Sequence, residues 1–198
     1  RFPASLDPSP FPRTIRFREP EEAASRPLPD WWQGSRAPLV YVSFGTVLGH
    51  MSIAADAFRV MVDAVAELDT RVLLTVGRTF DRERLGVVPA NVHVEPWVDQ
   101  ADVLPEAQVV VSHGGSGTTF GALRAGVPVV IVPLFADQFM NASRVAHAGA
   151  GVVIGRRVDG DGRRPPLSRA DSSRITAAIE SVRNDPSYRD AAGRVAAE

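Results

Sequence analysis

The stretch that decides the fold is WVDQADVLPEAQVVVSHGGSGTTFGALRAGVPVVIVPLFADQFMN, residues 97–141. It contains two short runs rich in Val and Ile, Val109–Ser112 and Val127–Val132. Runs that are apolar without alternation are typical of strands buried on both faces of a parallel sheet. Between them, the Gly/Ser/Thr-rich turn 113–119 precedes a short helical stretch that Gly126 would close. The order predicts strand, turn, helix and strand.

The same alternation extends on both sides of this stretch. Four more strands are predicted, at Leu39–Phe44, Arg71–Val76, Val92–Pro96 and Gly151–Ile154. Helices are predicted at Ala54–Leu68, Thr118–Ala125, Asn141–Ala148, Ser168–Arg183 and from Asp185 to the last residue, Glu198. This β-α alternation predicts an α/β fold, a Rossmann-like, doubly wound parallel sheet of about six strands. Ligands of such sheets bind beyond the carboxyl ends of the strands, here in the loops Ser43–Met51, Trp97–Asp102, His113–Thr119 and Pro133–Asn141.

Composition excludes several classes of protein. The 198 residues include no Cys, which excludes disulfides, thiolate nucleophiles and Cys-ligated metals. All 22 basic residues are Arg, which excludes the P-loop and lysine Schiff-base chemistry. The net charge of -1 gives no broad basic field, and no apolar run approaches ~20 residues, so neither nucleic acid nor membrane is an expected partner. A cytoplasmic protein is expected.

Proline content divides the chain into two parts. The first 36 residues hold seven of the 16 prolines and show no apolar periodicity. Residues 1–37 are therefore predicted to be a linker, and residues 38–198 to form one domain.

The turn 113–119 is suited to an anion. A helix N-terminus presents unpaired N–H groups and a partial positive charge, and Ser116, Thr118 and Thr119 add hydroxyl donors. The dinucleotide fingerprint fails because it needs Gly where the chain has Phe120. The nucleophile elbow around Ser116 fails because it needs Gly at Thr118. The turn therefore favours a phosphate or diphosphate, and a tight turn without ligand remains the alternative.

The same stretch resembles the donor-binding signature of the UDP-glycosyltransferase family, which has the GT-B fold. It is most similar to bacterial enzymes that glycosylate macrolides, aromatic polyketides and other natural products. The segment SFGT, Ser43–Thr46, resembles the first loop of the family's C-terminal domain. The other residues that carry the resemblance are Trp97, Gln100, Leu104-Pro105, the run from His113 to Thr119, Gly126-Val127-Pro128, Pro133, Asp137-Gln138 and Asn141-Ala142.

The resemblance implies a role for each matching residue. Trp97 would stack on the nucleobase, the backbone of Val98 would hydrogen-bond its edge, and Gln100 would lie near the nucleoside. Asp137 and Gln138 would hydrogen-bond the sugar hydroxyls. The diphosphate would be held by His113, Gly114, Gly115, Ser116, Gly117 and Thr118, with Ser43 and Thr46 approaching from the first loop.

Two departures from the family pattern matter. Many relatives have a Glu eight residues after the His that binds the ribose hydroxyls, and here that position is Gly121. A site without that carboxylate suits a 2′-deoxyribose, so a dTDP-sugar is expected over a UDP-sugar. The family's catalytic His belongs to an N-terminal domain that no segment here resembles. No catalytic residue is therefore assigned, and the chain is expected to be a fragment that is inactive alone.

The resemblance implies an inverting reaction without metal or cofactor. A base from the other domain would deprotonate a hydroxyl of a small natural-product acceptor, which that domain mainly binds, and the nucleoside diphosphate would leave. Asp159-Gly160-Asp161 matches the Asp-x-Asp of metal-dependent glycosyltransferases, but its Arg/Gly/Pro-rich surroundings favour a solvated turn. Two alternatives stay open: a non-catalytic auxiliary protein that activates a partner glycosyltransferase, and another GT-B enzyme such as a nucleotide-sugar epimerase or a cell-wall glycosyltransferase.

Overall fold

The centre of the fold is a six-stranded, all-parallel sheet with the order β3-β2-β1-β4-β5-β6. The computed structural model describes residues 3–6, 11, 13–15, 25–46, 48–51, 53–155 and 166–198. The strands are β1 Leu39–Ser43, β2 Arg71–Thr75, β3 Val92–Glu95, β4 Ala107–Ser112, β5 Val129–Ile131 and β6 Gly151–Val153. The predicted α/β fold and strand number are confirmed.

Six α-helices connect or follow the strands within the described residues. They are α1 Ala54–Val65, α2 Gln100–Val103, α3 Ser116–Arg124, α4 Gln138–His147, α5 Arg169–Asn184 and α6 Pro186–Ala196. A capping box between Ser168 and Asp171 forms at the start of α5. Asp185 caps α6 by accepting from the backbone N–H of Ser187. Helix α6 ends at Ala196, so the prediction that it runs to Glu198 is wrong by two residues.

Both faces of the sheet are buried, which explains the continuous apolar runs. In β1, Val40 and Val42 face a core shared with α1 and α5. Leu39 and Tyr41 face a second core shared with α3 and α6. A strand covered by helices on both sides has no solvent-facing position, so its sequence does not alternate.

Two tryptophans attach the N-terminal segment to the edge of the sheet. The ring of Trp31 stacks on His93 of β3 with 4.4 Å between centroids. The indole N–H of Trp32 donates to the carbonyl of Asn91 at 3.0 Å. These contacts hold this part of the N-terminal segment against β3 and the residue that precedes it. Among the described residues, no helix is both long enough and apolar enough to cross a membrane.

The sheet has a topological switch point between β1 and β4. From β1 the chain proceeds outward through β2 and β3, and from β4 it proceeds the opposite way through β5 and β6. Ser43 and Ser112, the last residues of β1 and β4, lie opposite each other in register. The loops after these two strands diverge, and a crevice forms where they separate.

Candidate donor site at the switch point

A cavity of about 1300 Å³ lies at the switch point, beyond the carboxyl ends of β1 to β4. Three of the four loops predicted from the sequence line it, and the loop Pro133–Asn141 does not. The predicted site residues that line the cavity are Ser43, Thr46, Trp97, Val98, Gln100, His113, Gly115, Ser116, Gly117 and Thr118. The fold thus brings residues from three separate segments into one crevice.

The N-terminus of α3 opens into this cavity without a cap. Its N-cap residue, Gly115, has extended backbone angles, and no side chain bonds to the first helical N–H groups. Ser116 and Gly117 in the first turn are exposed to the cavity. Unpaired N–H groups at a helix N-terminus, together with the helix dipole, favour an anion.

His113 lies directly beneath this turn. Its ring lies between the loop after β1, which contains Gly45, and the turn before α3, which contains Gly115. A Cβ atom added to Gly45 would be 3.1 Å from the His113 Cε1 atom. A Cβ atom added to Gly115 would be only 2.5 Å from the same Cε1 atom. Both glycines are therefore needed to make room for the imidazole ring.

The environment of His113 keeps its ring neutral. Burial lowers the pKa of His113, while the charge of Asp137 and the backbone of Ser43 partly oppose this effect. The Nδ1 atom is buried and has no hydrogen-bond partner of good geometry. A neutral ring that lines the cavity can donate one N–H bond, and a bound anion would favour its protonated form.

The glycines of the turn differ in the physical reason for the absence of a side chain. Gly114 has a φ of +89°, and a Cβ there would be 2.9 Å from the carbonyl oxygen of Gln138. Gly117 has no atom within 4 Å of an added Cβ. Gly114 is thus required by the backbone and Gly115 by His113, whereas Gly117 leaves open space in the cavity. Gly114 itself is buried and does not line the cavity.

Buried polar side chains hold the turn in place. The hydroxyl of Ser112 accepts from the Gly114 N–H at 3.1 Å and lies 3.3 Å from the hydroxyl of Thr119. Asn141, which is 1% exposed, donates to the Gly114 carbonyl at 2.9 Å. No role of Ser112 or Asn141 was predicted from the sequence. In the sequence, Ser112 could have been recognised as a polar residue at the end of an apolar run, and Asn141 as a polar residue on the inner face of a helix.

Gln100 fills the space beside Gly121. The Gln100 side-chain amide donates to the Thr118 hydroxyl at 3.1 Å. A Cβ atom added to Gly121 would be 2.9 Å from the Gln100 Oε1 atom. The absence of a side chain at position 121 therefore allows Gln100 to lie against α3.

Asp137 and Gln138 lie at the start of α4, outside the lining of the cavity. Gln138 is 3% exposed, and its Oε1 atom accepts from the N–H groups of Leu134 and Phe135 at 2.8 and 2.9 Å. Only the NH2 of its side-chain amide is left to contact a ligand. The Asp137 carboxylate accepts from Asn141 at 3.2 Å. Contact of this pair with a sugar stays a prediction.

The remaining histidines do not line the cavity. His50 lies 3.3 Å from the Thr79 hydroxyl, His93 pairs with Glu95 at 2.8 Å, and His147 ends α4. Among the described residues, no group of three or more His, Asp or Glu side chains could hold a metal ion. The Asp-x-Asp sequence at 159–161 lies outside the described residues.

Comparisons with known proteins agree with this geometry. A family model described as "Erythromycin biosynthesis protein CIII-like, C-terminal domain" matches residues 59–198. The chain is 32% identical over 199 residues to L-demethylnoviosyl transferase of Streptomyces niveus, covering 99% of this chain and 49% of that protein. It is 43% identical over 115 residues to elloramycin glycosyltransferase ElmGT of Streptomyces olivaceus, covering 58% of this chain and 30% of that protein.

Solved structures of glycosyltransferases share the fold. The spinosyn rhamnosyltransferase SpnG complexed with thymidine diphosphate superposes with a TM-score of 0.76 at 26% identity, covering 98% of this chain and 50% of that chain. VinC in complex with dTDP gives a TM-score of 0.69 at 28% identity, with 98% and 46% covered. The chain spans about half the length of the relatives it matches. The resemblance to GT-B glycosyltransferases is thus confirmed, and the chain belongs to the erythromycin biosynthesis protein CIII-like C-terminal domain family.

Proposed function

We propose that this chain is the nucleotide-sugar donor-binding domain of an inverting, metal-independent glycosyltransferase that acts on a small natural-product acceptor. The observation that carries the proposal is the uncapped N-terminus of α3, which opens beside His113 at the switch point and shares one cavity with Trp97. Relatives named as glycosyltransferases, and neighbours solved with thymidine diphosphate, support the same assignment.

The diphosphate occupies the first turn of α3. The N–H groups of Ser116 and Gly117 and the Thr118 hydroxyl bind its oxygens, and His113 donates a further hydrogen bond from below. As the sugar leaves, negative charge develops on the diphosphate, and these fixed donors stabilise it. Backbone N–H groups, the helix dipole and His113 supply this stabilisation without a metal ion or cofactor. The base that deprotonates the acceptor hydroxyl comes from outside this chain, which is therefore inactive alone.

The donor carries thymidine in preference to uridine. Gln100 lies against Gly121, where many family members place a carboxylate that binds the ribose hydroxyls. Without that carboxylate, the 2′-hydroxyl of a UDP-sugar loses its partner, and removing a partner from a polar group that becomes buried costs about 1–3 kcal/mol. The Asp137 carboxylate and the Gln138 amide reach the sugar hydroxyls from α4.

Calorimetric titration of the chain with thymidine diphosphate and with UDP tests this proposal. Thymidine diphosphate is expected to bind more tightly than UDP, and both Trp97→Ala and His113→Ala are expected to weaken it. Tighter binding of UDP would refute the preference and leave the donor site intact. No binding of either nucleotide to the folded chain at millimolar concentration would refute the donor site.

A further inference from the structure

The ends of β2 and β3 bring Arg78 next to Trp97. The two strands are parallel, and Thr75 lies opposite Glu95 in the last pair of the ladder. The N–H of Val76 still donates to the Glu95 carbonyl at 3.1 Å, so the loops that follow begin side by side. Gly77 then turns the chain with a φ of +87°. This turn directs the exposed residue Arg78 towards the loop that carries Trp97.

The Arg78 guanidinium covers one face of the Trp97 ring. Its Cζ atom lies 5.4 Å from the ring centroid, within the range of a cation–π contact. Among the described residues, no carboxylate forms a salt bridge with Arg78. Trp97 lines the cavity whereas Arg78 does not. The guanidinium thus covers one face of a ring that also borders the ligand space.

Trp97 needs such a support because the core does not hold it. Its side chain is 49% exposed, unlike the buried residues at the ends of the strands. A half-exposed ring loses rotational freedom when a base stacks on it, and this loss weakens binding. A cation on one face restricts the ring before the ligand arrives and leaves the opposite face available for a base.

We infer that Arg78 is a positioning residue for nucleobase recognition, which holds the Trp97 ring so that a base stacks on its cavity face. The inference rests on the proposed function, because it requires a nucleoside diphosphate in the cavity. It predicts an effect that depends on the base. An effect of the Arg78 charge on the diphosphate alone would act equally on ligands with and without a base.

The test compares thymidine diphosphate with inorganic diphosphate, which lacks the base. Affinities for both are measured by calorimetry for the unaltered chain, Arg78→Met, Arg78→Lys and the control Arg82→Met, which removes an exposed charge four residues further along the chain. Arg78→Met is expected to weaken thymidine diphosphate about two- to five-fold, as for loss of one exposed cation–π contact, and to leave inorganic diphosphate unchanged. Arg78→Lys is expected to restore part of the loss, and Arg82→Met to change neither affinity.

A double variant separates this inference from the proposed function. In a Trp97→Ala background, Arg78→Met is expected to cause no further loss, because the ring it supports is gone. An equal loss for inorganic diphosphate, a further loss in that background, or no loss at all for thymidine diphosphate would overturn the role of Arg78. If Trp97→Ala itself leaves thymidine diphosphate binding unchanged, the stacking in the proposed function is wrong and the inference falls with it.

Discussion

Replacing Gly115 with Ala tests whether the turn of α3 is built around His113. The added Cβ atom would lie 2.5 Å from the His113 Cε1 atom, whereas ordinary contact begins at 3.4 Å. The ring or the turn must therefore shift by about 0.9 Å, a degree of overpacking that costs about 1–3 kcal/mol. Gly45 borders the ring on its other side, where a Cβ atom added to it would be 3.1 Å from the same Cε1 atom.

The same displacement removes His113 from the diphosphate. A hydrogen bond to a charged group contributes about 1.5–3 kcal/mol, so affinity for thymidine diphosphate is expected to fall about 10- to 150-fold. Urea unfolding measures the stability change and calorimetry measures the affinity. Gly117→Ala is the matched control for stability, because nothing lies within 4 Å of the added atom, and its free energy of unfolding is expected to stay equal or to rise by up to about 1 kcal/mol.

A double variant can refute the steric explanation. In His113→Ala the ring is absent, so adding Gly115→Ala is expected to cost much less stability than it does in the unaltered chain. Equal destabilisation in both backgrounds would show that Gly115 is required for another reason. A Gly115→Ala variant with unchanged affinity would show that His113 does not bind the diphosphate.

Three further predictions follow from neighbouring residues. Burial lowers the pKa of His113, so the unfolded chain binds a proton that the folded chain does not, and the free energy of unfolding should decline as pH falls through about 6.5. Urea titrations should show a smaller decline in His113→Phe, and an unchanged decline would assign it to other groups. Asn141→Ala removes the 2.9 Å bond to the Gly114 carbonyl and should cost about 1–3 kcal/mol in urea unfolding, while no loss would show that the bond contributes nothing. Gly121→Glu combined with Gln100→Ala should raise the affinity for UDP relative to thymidine diphosphate, measured as the ratio of dissociation constants, and an unchanged ratio would exclude position 121 from base preference.

The strands and the place of the site could be predicted from the sequence. The predicted run Val109–Ser112 lies within β4, and the run Val127–Val132 contains β5. Both runs are apolar without alternation because the strands are buried on both faces. The four-residue helix α2 was not predicted, since so short a helix has no apolar periodicity and depends on the Asp99 side chain that caps it. Helix α4 begins at Gln138, three residues before its predicted start.

The reasons for individual site residues required the structure. The resemblance predicted that Gly115 binds the diphosphate, and the structure adds that Gly115 makes room for the His113 ring, which only tertiary packing places there. Gln138 matched a sugar-binding pattern, which did not predict that its oxygen also accepts from the backbone N–H groups of Leu134 and Phe135. The contact of Arg78 with Trp97 joins loops from two strands, so no local pattern announces it.

The most direct test of the donor site is an amide chemical-shift map of the ¹⁵N-labelled chain titrated with thymidine diphosphate. If thymidine diphosphate binds at the donor site, the largest changes are expected at the N–H groups of Ser116, Gly117 and Thr118 and at the indole N–H of Trp97. All of these residues border the cavity. Changes confined to other parts of the chain, with the first turn of α3 unaffected, would contradict it.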